Sequence, residues 1–139
     1  MSEENRVWGI HTKDDKLFLQ GNKIAIGWSE FGDLTMVAAS RDAFKARYIE
    51  VYPNAKKGSI PTSSGMLYRF LHEMQIGDYI VFPSKSDRMI NIGCIEGNYT
   101  YEPSEKEYVQ QRTVKWLKHF PRTYFSQGAL YEIGSAMSV

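Results

Sequence analysis

The sequence predicts an α+β fold, a small mixed β-barrel with short flanking helices, as one domain over residues 1–139. Stretches in which apolar and polar residues alternate outnumber those with helical spacing. The segments between these stretches are too long and irregular for a doubly wound parallel sheet. With 42% hydrophobic residues, a chain of this length builds its core without disulfides or metal ions.

The opening of the chain predicts β structure. Apolar residues alternate over residues 6–11 and 16–28, which is the period of a half-buried strand. Two polar clusters interrupt the alternation, at residues 13–15 and 21–22. We interpret both clusters as turns between strands.

Two helices are expected next. Ser40 is a suitable N-cap, and Phe44, Tyr48 and Val51 then follow at spacings of four and three, so that a helix over residues 41–51 has one apolar face. Residues 54–61 are basic and aperiodic, which indicates a mobile loop. Ser63 or Ser64 would cap a second helix that continues to about Met74.

The second half of the chain predicts three more strands. Residues 75–83 contain a turn followed by β-branched and aromatic residues, and residues 89–101 form a second strand after a polar connection. These two strands are expected to pair as an antiparallel hairpin. Residues 108–119 alternate and predict a further strand, and residues 125–133 predict a last short helix.

Trp28 is the first candidate for function. Period two places it on the same strand face as Ile24 and Ile26, with Gly27 leaving open space on the other face. Ser29, Glu30 and Phe31 follow at the expected end of the strand. An indole beside a hydroxyl and free backbone groups can stack a base that has left its helix and bind the base edge. The alternative is that Trp28 belongs to the core.

Charge and composition exclude several classes of protein. The formal net charge of +1 provides no overall basic field, so nucleic-acid binding must depend on a local patch. The single cysteine, Cys94, cannot form a disulfide within the chain. No apolar run is long enough to span a bilayer. We therefore expect a cytoplasmic protein that has no membrane partner.

The sequence offers no catalytic constellation. His11, His72 and His119 have no metal-ligand spacing, and no phosphate-binding glycine motif or nucleophile motif is present. We expect no enzyme activity, no metal and no cofactor. Aromatic residues instead alternate with basic ones, as in stacking and phosphate contacts. The local positive charges are those of Lys56, Lys57, Arg69, Lys85, Arg88, Arg112, Lys115, Lys118 and Arg122.

Five blocks carry a family resemblance. They occupy residues 26–34, 65–70, 76–83, 92–101 and 112–117. The first two blocks read I-G-W-S-E-F-G-D-L and G-M-L-Y-R-F. In this order they resemble the amino-terminal domain of Mrr-like, modification-dependent restriction endonucleases. They are similar, more distantly, to the EVE and YTH branch of the PUA-like superfamily, whose members bind modified bases in DNA or RNA.

The resemblance implies a DNA-binding reader. It would flip a methylated or hydroxymethylated cytosine, or a methylated adenine, into an aromatic cage, and so target a nuclease elsewhere in a longer parent protein. Trp28 would form one wall of the cage and Ser29 would bind the base edge. The family's second wall has no matching tryptophan here, which leaves Tyr99, Tyr101 and Trp8 as candidates. Trp116 is expected in the core.

Other readings stay open. The phosphate contacts are hypothetical and would come from Lys56, Lys57, Arg88 and Lys115. The chain contains no PD-(D/E)-x-K nuclease motif, so we expect it to recognise DNA without cutting it. A PUA-like domain that binds modified RNA, or a protein-interaction module of a defence complex, is the alternative function. The oligomeric state is not predicted.

Overall fold

The computed structural model describes residues 5–129, which form an α+β structure around one five-stranded sheet. The strands are β1 (Val7–Gly9), β2 (Lys23–Ile26), β3 (Tyr79–Ser84), β4 (Met89–Tyr101) and β5 (Gln110–Pro121). The helices are α1 (Asp15–Gly21), α2 (Arg41–Val51) and α3 (Ser59–Tyr68), and a π-helical turn (Arg69–Glu73) directly follows α3. None of the described helices is long and apolar enough to cross a membrane.

The sheet is mixed and open. Its order is β1-β3-β4-β5-β2, in which β1 is parallel to β3 and β3 is antiparallel to β4. Gly93 faces Val114 and Trp116 while Gly97 faces Thr113, so β4 and β5 run in opposite directions. The α+β class is confirmed. The described strands leave β1 and β2 as the two edges, and the expected closure into a barrel is not seen among them.

The chain divides into two compact units, and each has its own packed aromatic residues. Among the described residues, the first unit comprises residues 5–25, 75–98 and 112–129; within it Phe18 packs on Phe82 with ring centroids 4.9 Å apart, and Trp116 packs on the same ring. The second comprises residues 26–74 and 99–111; within it Phe31 stacks on Phe44 at 5.7 Å.

The opening segment differs from the prediction. Residues 15–21 form helix α1 instead of a strand, because the two polar clusters that suggested turns are its caps. The carboxylate of Asp14 accepts the Leu17 N–H, and Asn22 takes the left-handed conformation that ends a helix. Strand β1 lies within residues 6–11 as expected, and β2 is the strand within residues 16–28, after this helix.

Helix α3 begins at Ser59 with Gly58 as its N-cap, five residues before Ser63 and six before Ser64, the two expected caps. Pro61 lies in its first turn, where a missing N–H breaks no helical hydrogen bond. The predicted basic loop is thus limited to the turn that contains Lys56 and Lys57.

Helix α2, its Ser40 cap, the β3–β4 hairpin and strand β5 are confirmed. The predicted helix over residues 125–133 extends beyond the described residues.

Candidate nucleic-acid interface

Trp28 lies just after the end of β2 with an unusual backbone conformation. Its φ is 62° and its ψ is 54°, in the left-handed region that is costly for a bulky side chain. Because β2 ends at Ile26, Trp28 does not continue the strand face of the isoleucines, and this part of the prediction is wrong. The side chain is half-buried. Strained backbone of this kind concentrates at ligand-binding positions.

Two short 3₁₀ turns, Ser29–Phe31 and Leu34–Met36, follow Trp28. The N–H of Phe31 donates to the carbonyl of Trp28 at 3.0 Å, and the hydroxyl of Ser29 donates to the carbonyl of Lys106. A Cβ on Gly27 would lie 3.4 Å from the carbonyl oxygen of Glu107. The space that was expected to be open beside Gly27 is therefore bordered by backbone.

Tyr99 supports this segment from the end of β4. Its hydroxyl accepts the N–H of Leu34 at 3.0 Å and donates to Oε1 of the buried Gln110. Gln110 in turn donates from Nε2 to the carbonyl of Gly32 at 2.8 Å. Burial raises the pKa of Tyr99. The Tyr99 hydroxyl is thus engaged in hydrogen bonds that stabilise this part of the fold. Tyr101, also a predicted cage residue, lies half-buried at the end of the same strand.

Glu30 presents an acceptor at the surface beside Trp28. Its side chain is exposed, and its Oε1 accepts the hydroxyl of Tyr52 at 3.2 Å. Burial, together with the charge of Glu30, raises the pKa of Tyr52 to about 12. The phenol therefore stays a donor at neutral pH and orients the carboxylate, which keeps further acceptor capacity.

Two of the predicted pocket residues lie in the core. Trp8 is 3% exposed, and its Nε1 donates to Asp78 at 2.9 Å. Phe31 is 1% exposed, stacks on Phe44 and has the guanidinium of Arg47 5.8 Å from its ring centroid. Neither ring can contact a base without unpacking the core, so neither forms a cage wall in this conformation.

The predicted phosphate contacts are all exposed. Lys56 and Lys57 lie in the turn before α3, Arg88 in the β3–β4 hairpin and Lys115 on β5. Arg112, counted among the local positive charges, is instead 3% exposed and donates from Nε and Nη2 to the carbonyl of Gly97. Burial lowers its pKa while the charge of Asp78 raises it.

A cleft of about 610 Å³ lies between residues 31–38 and α2. Arg47, Asp33 and Glu50 line it together with the exposed Met36, and Trp28 is not part of its wall.

Sequence reasoning missed Arg47, Tyr52 and Gln110, because each acts through a partner distant in sequence. Within the described residues, no group of three or more His, Cys, Asp or Glu side chains is arranged to hold a metal ion.

One family model matches the chain. It is described as a domain of unknown function (DUF8426), and it covers residues 8–134. No curated protein and no solved structure matches the chain.

Proposed function

We propose that this chain, which belongs to the DUF8426 family, is a non-catalytic DNA-binding domain that recognises a modified base by stacking it on Trp28. The observation that supports this proposal most strongly is the difference in hydrogen bonding and aromatic packing among the three tryptophan side chains. The N–H groups of Trp8 and Trp116 donate to Asp78 and to the carbonyl of Phe18. Within residues 5–129, Trp28 has neither a hydrogen-bond partner for its N–H nor an aromatic neighbour.

The neighbours of Trp28 suit the edge of a cytosine or an adenine. Glu30 offers an exposed carboxylate, and Ser29 uses its hydroxyl hydrogen on Lys106, so that its oxygen remains an acceptor. Cytosine N4 and adenine N6 are exocyclic donors, and carboxylates accept from such groups. The acceptors beside the indole therefore match the amino groups of the two bases that the family resemblance implies.

The energies of such recognition are modest. Flipping a nucleotide out of a duplex costs a few kcal/mol. Stacking on an aromatic side chain returns about 1 to 3 kcal/mol per base, and hydrogen bonds to the base edge add to it. A buried methyl group contributes roughly 0.8 kcal/mol more. The modification would thus produce a preference of a few fold, and not absolute selectivity.

The proposal extends to the parent protein and to the finer fold. A nuclease elsewhere in the parent protein would cut the DNA in the cytoplasm, while this chain only recognises it. The mixed sheet, with β1 parallel to β3 and a long antiparallel hairpin, supports a PUA-like arrangement of the EVE and YTH type. Lys56, Lys57, Arg88 and Lys115 stay the proposed phosphate contacts.

The test is binding to matched duplexes that carry unmodified, methylated or hydroxymethylated cytosine, or methylated adenine. We expect one modified duplex to bind best, and Trp28→Ala to weaken that binding about tenfold by removing the stacking surface. Tyr124→Ala is the matched control, since it removes an aromatic side chain that is 73% exposed, and it should leave affinity unchanged.

Equal binding of all duplexes by the parent chain and by Trp28→Ala would contradict the proposal. Tighter binding to modified single-stranded RNA would point to an RNA reader. Failure to bind any nucleic acid would favour a protein-interaction module.

A further inference from the structure

We propose that Arg41 and Arg69 form a binding site for a phosphate group on the surface of α2 and α3. The inference is independent of Trp28 and of base recognition. It depends on the way in which two guanidinium groups converge over a residue without a side chain.

Gly65 marks the point of convergence. It lies inside α3, and a Cβ built on it would meet Nη1 of Arg69 at 3.1 Å and Nη1 of Arg41 at 3.6 Å. Two positive charges are thus close together above Gly65, and their repulsion is unfavourable unless anions compensate both charges. Glycine is also a poor helix former, and its presence here leaves room for both guanidinium groups.

The two arginines differ in their contacts: Arg41 is held by an aromatic ring and a carboxylate, whereas Arg69 has a buried donor without a partner. The guanidinium of Arg41 lies over the ring of Tyr68 at 5.0 Å from the centroid, and Nη2 bonds to Glu73 at 2.7 Å. Arg69 begins the π-helical turn, and its buried Nε has no hydrogen-bond partner. π-Helical turns occur frequently at functional sites, and a buried donor without a partner is costly.

The charges leave an excess of one positive unit. Glu73 neutralises one guanidinium through its ion pair with Arg41. Burial, and then the charge of Arg41, lower the pKa of Arg69, while the charge of Glu73 raises it. The side chain of Arg41 is 50% exposed, so a ligand can approach from solvent.

A phosphate group fits this arrangement. Guanidinium nitrogens present N–H donors in a planar fork that matches the oxygens of phosphate. The ring of Tyr68 lies beside the site, under the guanidinium of Arg41. The phosphate could be free or could belong to a nucleic-acid backbone, and the two sources require different measurements.

The first arm titrates the chain with inorganic phosphate at constant ionic strength and follows amide and arginine Nε–H resonances by NMR. In the parent chain, we expect shifts centred on Gly65 and on the Nε–H of Arg69. Arg69→Gln should weaken binding about tenfold by removing one charged donor group. Gly65→Ala should also weaken it, because its methyl group displaces the Arg69 guanidinium. Lys118→Gln removes the same charge from an exposed position on β5 and should change nothing.

Misfolding would not explain weaker phosphate binding by Gly65→Ala, since alanine favours a helix and the clash is only with the flexible end of Arg69. Parent-like titration of both Arg69→Gln and Gly65→Ala would overturn the site, as would the absence of any shift in the parent chain. Trp28→Ala should bind phosphate normally.

The second arm measures binding to an unmodified duplex. If the phosphate belongs to a nucleic-acid backbone, Arg69→Gln should weaken duplex binding and reduce the salt slope by about one. If duplex binding is unchanged while phosphate binding falls, the ligand is a free phosphate group.

Discussion

At the residue scale, the buried carboxylate of Asp78 connects several parts of the chain through hydrogen bonds. Its oxygens accept the indole N–H of Trp8 at 2.9 Å, the N–H of Arg6 at 3.1 Å and the N–H of Gln75 at 3.0 Å. The side chain is 4% exposed, and its charge also acts on the buried Arg112. Removal of this carboxylate would leave the buried indole N–H of Trp8 and two partly buried backbone N–H groups without their acceptor.

We therefore expect Asp78→Ala to lower the free energy of unfolding by about 3 kcal/mol or more, since it leaves the N–H groups of Trp8 and Gln75 without their acceptor and removes the negative charge that acts on the buried Arg112. Urea unfolding measures the change. Glu96→Ala removes an exposed carboxylate and should stay within about 0.5 kcal/mol of the parent chain. Equal effects of the two substitutions would show that the Asp78 bonds do not stabilise the fold.

The residue scale also shows a limit of prediction from sequence. Trp28 could be selected because an indole is followed by small polar and acidic residues. Its left-handed backbone could not be foreseen, because Ser29 and Gly32 are held by Lys106 and Gln110, more than 70 positions later in the chain. The burial of Trp8 could not be foreseen for the same reason, since the acceptor of its N–H is Asp78, 70 positions later in the chain.

At the scale of elements, the close approach of β4 and β5 depends on glycine. A Cβ on Gly93 would lie 2.7 Å from Cγ1 of Val114 and 2.8 Å from Cε3 of Trp116, with a backbone oxygen at 3.1 Å. Real side chains do not tolerate such distances, and the backbone cannot yield as a flexible side chain can. The two strands are thus packed too closely at this point for any side chain.

Gly93→Ala should accordingly lower the free energy of unfolding by about 1 to 3 kcal/mol through overpacking. Gly58→Ala is the matched control, because its Cβ would meet nothing within 4 Å and its φ of −70° is acceptable for alanine. That variant should be as stable as the parent or more stable by up to about 1 kcal/mol. Thermal and urea unfolding of both variants test the difference, and a neutral Gly93→Ala would refute the packing argument.

Long elements with clear periodicity could be predicted, and short ones could not. Helix α2 has a Ser cap and apolar residues at helical spacing, and β3 with β4 alternates over many residues. Helix α1 has seven residues, which are too few to distinguish a helical period from the period of a strand in the sequence. Its caps, Asp14 and Asn22, are residue types that turns also favour, so local sequence alone does not separate the two structures.

For the molecule as a whole, charge acts locally. The net charge of +1 provides no strong long-range attraction for a polyanion. Binding would instead depend on short-range contacts such as those of Arg41 and Arg69, and on stacking. The sequence indicated an aromatic and basic surface, but it could not separate the buried Arg112 from the surface arginines, because this distinction depends on tertiary packing.

The stability of the whole chain should fall in alkaline solution. The pKa of Tyr52 is raised to about 12, chiefly by burial, and burial also raises that of Tyr99. In the unfolded chain both phenols titrate near pH 10. Between these values, the folded chain keeps protons that the unfolded chain releases, so a rise in pH favours unfolding. Their contribution is fully present below about pH 10 and is lost as the pH rises through the folded values.

The free energy of unfolding should therefore decrease between about pH 9 and pH 11, measured by urea titration at fixed ionic strength. Tyr52→Phe removes one raised phenol and should make the decrease shallower. Tyr124→Phe removes the hydroxyl of an exposed tyrosine and serves as the control. Identical slopes for the parent chain and Tyr52→Phe would mean that the phenol of Tyr52 is not coupled to folding, and that its bond to Glu30 does not form in solution.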